Sequence, residues 1–234
     1  MPKYKIINGV KIAIDELVKI WVNDGLVAEI VSNPEDLEDL GIGYAYSEGY
    51  AANIDDIIEV SVLQNQVRIK TRLNASRAAR LLDDCGIGEL VKALRGDPAD
   101  AALMVKLAGE FTKMTIWHVD PHLAMHTSAL YVDGDWLVVH DTNRHSGVIK
   151  LVGKFLKRGG GKLKIAYTTG RVSSDMVYRL ATIGVNGIVS LRGPLYSGVE
   201  AACRLGITLV SNVRNAGFTT LCTPSDFEKI SNNS

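Results

Sequence analysis

The sequence predicts an α/β protein: a C-terminal α/β unit preceded by a smaller, β-rich α+β unit. Three observations lead there. From Thr127 onward, short apolar strands alternate with helical stretches, the pattern of parallel strands joined by helical crossovers. Residues 1–73 instead show paired strands about tight turns, with one clear helix. Residues 74–111 read as helical, are interrupted by "DDCGIGE" and "RGDP", and are assigned as a linker. The expected division is therefore 1–73, 74–111 and 112–234.

In chain order, "VKIWVN" and "LVAEIVS" are strands of a hairpin about Asn23-Asp24-Gly25, a composition suited to a two-residue turn. "NPEDLEDLGIGYAYSEG" starts a helix. Asn33 is the expected cap, Pro34 suits the first helical position, and Glu35 and Asp36 suit the positive end of the dipole. Leu37, Leu40 and Tyr44 fall on one helix face. "IIEVSVL" and "QVRIKTRL" make a second hairpin, and Asp97-Pro98 marks another helix start. "TSALYVDGDWLVVHD" is a hairpin about Asp133-Gly134-Asp135. Helices are expected at about 144–158, 174–183 and 196–205, and strands at 163–168, 187–191, 207–213 and 217–222.

Composition narrows the function classes. The 234 residues carry zero formal net charge, so no global pull toward nucleic acid or membrane is expected and any anion site must be built locally. No apolar run is long enough to span a bilayer, and "MPKYKIINGVKIAID" lacks a signal-peptide core. Three cysteines, Cys85, Cys203 and Cys222, argue against a disulfide framework and for a reducing cytoplasm. Cys203 and Cys222 read as small buried hydrophobes.

Ligands of open α/β sheets bind where parallel strands end. After "WLVVH" come Asp141, Arg144 and His145; after "LKIAYT", Gly170, Arg171, Ser173 and Ser174; after "GIVSL", Arg192 and Gly193; after "ITLVS", Asn212, Val213, Arg214 and Asn215. An arginine follows every strand end. The guanidinium fork suits phosphate, and Ser173 and Ser174 open a helix whose free N–H groups point to the same edge. Gly170 and Gly193 permit close approach of backbone to ligand. A phosphate or nucleotide ligand is expected, against the alternative that these arginines pair with Asp141 or Asp175.

All five histidines lie between His118 and His145. The i, i+4 spacing of His118, His122 and His126 could serve a metal on a helix, but Pro121 opposes a regular helix there. His126 and His145 are better placed at the strand edge, and His140 reads as a hydrogen-bonded strand residue. "KRGGGK" lies between a helix and a strand, the wrong context for a phosphate loop, and reads as a connector. Cys85 in "LLDDCGIGEL" has glycines on one side, as a reaching thiol needs. Asp83, Asp84 and Glu89 disfavour its thiolate, so reactive and passive roles stay open.

Four ordered segments resemble the FdhD family of formate dehydrogenase accessory sulfurtransferases. "NPEDLEDLGIGYAYSEG" is similar to the family's "TP-x-DLEEL-x-x-GFL-x-SEG", and "HDTNRHSGVIK" to "EDVGRHNAVDK". "TTGRVSSDMV" resembles "TSGRASSEMV", and "SLRGPLYSGVEAACRLGITLVSNVRNAGF" resembles "SRSAPTSLAVELARELGITLVGFVRGGRF". The resemblance implies a cytidine-deaminase-like C-terminal domain. The deaminase zinc signature is absent, so no zinc is expected. It further implies a cytoplasmic homodimer that takes sulfur from a cysteine desulfurase as a persulfide on Cys85. The sulfur passes to the molybdenum or tungsten bis-pyranopterin guanine dinucleotide cofactor of a formate dehydrogenase-type client.

Position by position, Cys85 matches the first cysteine of the family's C-G-x-C-G loop and His126 the histidine of "TGG-x-H". Asp141, Arg144 and His145 match the acidic-Arg-His segment. Gly170, Arg171, Ser173 and Ser174 match the "GRASS" turn. Asn212, Val213, Arg214, Asn215, Ala216 and Gly217 match the segment expected to touch the guanine dinucleotide. The chain departs from the family pattern at C-G-I-G, which lacks the second cysteine, at His122-Leu123-Ala124 and at "SLRGPLY". The missing cysteine leaves one rival, a cofactor-binding chaperone without sulfur transfer. A histidine-metal hydrolase is the other.

Overall fold

The computed structural model describes residues 1–72, 97–214 and 217–223, folded as mixed α/β on three sheets. β1 (Tyr4–Ile7) and β2 (Val10–Ala13) form a short hairpin. β3 (Glu16–Val22) and β4 (Gly25–Ser32) are the first expected hairpin, and β5 (Ile57–Leu63) and β6 (Gln66–Thr71) the second. They join in one sheet, ordered β4-β3-β6-β5, with β3 and β6 parallel. Asn23 and Asp24 both take positive φ, as the tight turn requires.

Helix α1 (Leu37–Ser47) lays Leu37, Leu40 and Tyr44 on Val18, Ile20, Val67 and Ile69. Its cap is Asp36, in left-handed conformation, and not the expected Asn33. Asn33 is fully buried. Its amide donates to the carbonyls of Lys3 (2.8 Å) and Ile14 (2.7 Å) and accepts from the Lys3 N–H (3.0 Å). The side chain that looked like a cap is used to tie the β1–β2 hairpin to the end of β4.

The second unit comprises α2 (Ala101–Met114), α3 (Ile116–Val119), β7 (His126–Val132), β8 (Asp135–Asp141), α4 (Arg144–Arg158) and β9 (Lys164–Thr168). It continues through α5 (Ser174–Thr182), β10 (Gly187–Ser190), α6 (Tyr196–Leu205), β11 (Thr208–Arg214) and β12 (Gly217–Leu221). The sheet runs β12-β11-β10-β9-β7-β8, with β9, β10 and β11 parallel. Apolar faces of α4, α5 and α6 cover one side through Val148, Val152, Met176, Val177, Ala201 and Ala202. α2 covers the other with Met104, Leu107 and Phe111 against Tyr167, Val189 and Val210. The sequence assigned residues up to 111 to a linker, whereas Ala101–Met114 is a layer of this unit.

α2 also begins later than expected. Asp100, not Asp97, accepts from the N–H groups of Ala102 (3.2 Å) and Leu103 (3.3 Å). The Asp97 carbonyl is instead held by the Asn186 side chain at 2.8 Å, which pins the approach to α2 against the sheet. "KRGGGK" is a connector: Gly159, Gly160 and Gly161 all have positive φ between α4 and β9.

The two units meet where α1 crosses α4. A Cβ added at Gly43 would overlap the carbonyl oxygen of Ile149, and one at Gly153 that of Asp39. Two glycines therefore let the helix backbones touch. Beside them Arg179 of α5 is buried and reaches Asp175 (3.0 Å), Glu48 (2.7 Å) and the Ser47 hydroxyl (2.6 Å).

Cys203 and Cys222 form a disulfide, correcting the expectation of two separate thiols. The antiparallel return of β12 along β11 brings Cys222 to α6, with the Cα atoms 4.8 Å apart. That proximity follows from strand pairing and leaves no trace in cysteine spacing.

Candidate functional site at the strand edge

β7 is antiparallel to both β8 and β9, so β8, β9, β10 and β11 all end at one edge of the sheet. β7 and β12 begin at that edge, and so do α4, α5 and α6. The N-terminus of each helix carries partial positive charge and unsatisfied N–H groups. The strand ends are knitted together: the Thr169 N–H reaches the Thr127 carbonyl (3.0 Å), the Ser190 hydroxyl the Gly170 carbonyl (2.7 Å), the Leu195 N–H the Val172 carbonyl (2.8 Å) and the Asn212 N–H the Arg192 carbonyl (3.1 Å).

At the β8–α4 corner, Asp141 is wholly buried and does not face a ligand, contrary to the sequence reading. Its carboxylate accepts from the Lys150 ammonium (2.6 Å), the Ser32 hydroxyl (2.8 Å) and the N–H groups of Asn143 (2.9 Å) and Asn33 (3.3 Å). Lys150 is equally buried and donates also to the Asn33 carbonyl (2.7 Å). A buried carboxylate needs such a partner set. The pair neutralises itself and fastens the end of β4 beneath the corner.

Asn143 caps α4 by accepting from the His145 N–H at 2.8 Å. His145 is buried, with Nε2 3.1 Å from the Ser173 hydroxyl oxygen, so two expected site residues bind each other across α4 and α5. Ser173 is the N-terminal flanking residue of α5, and Ser174 starts the helix, as expected. Arg144 lies half-buried over Gly170, where an added Cβ would come within 3.1 Å of its side chain. Gly170 thus makes room for Arg144.

His126 pairs with Asp141 across β7 and β8. Its Nδ1 is buried and meets no hydrogen-bond partner among the described residues. Burial, then the charge of Arg144, pushes its pKa down; Asp141 opposes this, and Arg192 adds to it. The shift favours the neutral imidazole.

Arg171 and Arg192 are exposed on adjacent loops. Asp141 and Asp175, the carboxylates weighed as partners of these arginines, pair with Lys150 and Arg179. Asn212 is exposed with positive φ beside Gly193, Val213 is half-buried, Arg214 ends β11 and Gly217 begins β12. Asn215, Ala216 and Cys85 lie outside the described residues.

The remaining histidines separate. α3 ends at Val119, and His118 and His122 are exposed away from any shared helix with His126. His140 Nδ1 lies 3.0 Å from the Thr127 hydroxyl, which also accepts from the Ile116 N–H at 2.8 Å. Sequence reasoning missed Trp117. It is exposed on α3, and the Arg192 guanidinium lies 6.0 Å from its ring centroid. No strand end or periodicity marks it.

The chain matches the model of the FdhD/NarQ family over residues 13–227. It is 26% identical to the sulfur carrier protein FdhD of Methanothermobacter thermautotrophicus, covering 94% of this chain and 90% of that protein. The sulfur carrier protein FdhD of Staphylococcus aureus is 27% identical, with 88% and 84% covered. The crystal structure of a formate dehydrogenase accessory protein from Desulfotalea psychrophila superposes with a TM-score of 0.74 at 25% identity, covering 96% of each chain. A family model matched from residue 13 to residue 227, over a fold shared along its length with such a protein, means that the chain belongs to the FdhD/NarQ family.

Proposed function

We propose that this protein is a sulfur carrier that matures formate dehydrogenase-type enzymes. On this reading Cys85 attacks the persulfide of a cysteine desulfurase. The new bond joins Cys85 to the terminal sulfur, and the desulfurase cysteine leaves as thiolate. A molybdenum or tungsten bis-pyranopterin guanine dinucleotide cofactor would be the acceptor of that outer sulfur, the S–S bond breaking and Cys85 returning as thiolate, and the residues of the strand edge would hold its nucleotide portion. The second unit is assigned to the cytidine-deaminase-like class, and the working form to a cytoplasmic homodimer.

The observation that carries the ligand assignment is the edge itself. Arg144, Arg171 and Arg192, the starts of three helices and a His126 Nδ1 with no partner among the described residues lie along it in a chain of zero net charge. Such a set suits pyrophosphate oxygens and a polar base edge. His145 and Ser173 brace each other and act by positioning the α4 and α5 starts.

A second reading, cofactor chaperone without sulfur transfer, is favoured by one feature: Cys85-Gly86-Ile87-Gly88 lacks a second thiol. Incubation with a cysteine desulfurase and cysteine, followed by intact-mass spectrometry, separates them. The carrier gains one sulfur atom in wild type and none in Cys85→Ala, while both bind GDP. GDP binding with no sulfur gained by wild type leaves the chaperone reading.

A further inference from the structure

We infer that Trp117 and Arg192 form a stacking ledge that seats the nucleobase of a nucleotide at the strand edge, apart from the phosphate-binding helix starts. The inference rests on the nucleotide reading of the edge and assigns a base-stacking role within it.

Trp117 is 42% exposed although it is the largest apolar side chain in its segment. Its backbone is fixed on both sides. The Ile116 N–H donates to the buried Thr127 hydroxyl (2.8 Å), and the Asp120 N–H closes α3 on the Ile116 carbonyl (2.8 Å). Thr127 follows His126 at the start of β7, so this bond ties α3 to the strand that carries the imidazole, whose Nδ1 meets no partner among the described residues. The Arg192 guanidinium lies over the indole at 6.0 Å. Its own backbone is locked by the Ser190 hydroxyl (3.0 Å) and by Asn212 (3.1 Å).

An exposed indole fixed in this way, with a guanidinium at its face, is a sequence-tolerant π platform. Phosphate oxygens are better served elsewhere on the edge, at Arg144 and at the starts of α4 and α5. Arg192 belongs to the strand edge through the Asn212 N–H, which its carbonyl accepts at 3.1 Å, while its guanidinium lies 6.0 Å from the Trp117 ring centroid. The chemistry is that of a nucleoside diphosphate with its base on Trp117.

The test is calorimetric titration of the full chain with GDP and, separately, with inorganic pyrophosphate, using wild type, Trp117→Ala and Trp117→Phe. Thermal melts confirm folding. Trp117→Ala is expected to weaken GDP roughly tenfold or more, and to leave pyrophosphate within about twofold, with Trp117→Phe restoring most of the GDP affinity. Equal weakening of both ligands would mean that Trp117 only steadies Arg192 and would overturn the ledge. Unchanged GDP binding in Trp117→Ala would overturn it while leaving the nucleotide site standing. Wild type binding neither probe would remove the ledge together with the nucleotide reading. Should Trp117→Ala not fold, GDP-induced quenching of tryptophan emission in wild type, absent in Trp117→Phe, carries the same decision.

Discussion

Lys150 and Asp141 form a buried ion pair whose two charges depend on each other. Both are buried and 2.6 Å apart, and Asp141 also holds Ser32, Asn33 and Asn143. Removing one partner strands the other charge. Lys150→Met is expected to cost about 3–5 kcal/mol in urea unfolding. Lys150→Met with Asp141→Asn should recover part of that loss; a double variant no better than the single would show that the hydrogen bonds, not the charge, dominate. A second residue-scale effect follows from His126 and His140, both pushed down mainly by burial. A depressed native pKa means the unfolded chain takes protons first. Their contribution is therefore full above the ordinary value of 6.5 and is lost as pH falls through the depressed native values. Melting temperature should drop between about pH 7 and pH 5, and less so in a His126→Gln, His140→Gln variant. Asp141 also marks where the sequence misled. Its place after an apolar strand was legible, but whether a carboxylate turns toward solvent or inward depends on Lys150 and on Ser32 of a distant strand.

At the scale of elements, the crossing of α1 and α4 joins the two units through Gly43 and Gly153. Gly43→Ala forces a methyl into the Ile149 carbonyl, and the helices must separate. A loss of about 1–3 kcal/mol is expected from chemical denaturation; no change would mean that the crossing relaxes freely. Most elements were legible because their signals are local. α4 and α6 fall at their expected residues, since apolar periodicity and flanking glycines define them. The helix starts at Asn33 and Asp97 were misplaced because both residues serve partners far along the chain. Strand order was not legible either, because the β7–β8 hairpin inserts β7 between the parallel pair β8 and β9.

For the whole molecule, the disulfide between Cys203 and Cys222 closes the α6–β12 return. A 19-residue separation stabilises by about 3 kcal/mol in the chain-entropy account, so Cys203→Ser should shift the urea midpoint down and make it indifferent to reductant. An unchanged midpoint would mean that β12 is held by its ladder and packing alone. The larger consequence of the architecture is convergence. Four strand ends, two strand starts and three helix starts share one edge, and they bring together residues from His126 to Gly217. Arg144, Arg171 and Arg192 were legible from the sequence because each follows a strand; Trp117 was not, because only the folded α3 sets it against Arg192. Whether this edge binds a nucleotide, as proposed, is decided by calorimetric titration of GDP into wild type and Arg171→Ala. Saturable binding is expected in wild type, weakened at least several-fold in Arg171→Ala, whose side chain is exposed and whose loss should leave the fold intact. A folded wild type that does not bind GDP, or an Arg171→Ala that binds it equally well, would mean that the strand edge is not a nucleotide site.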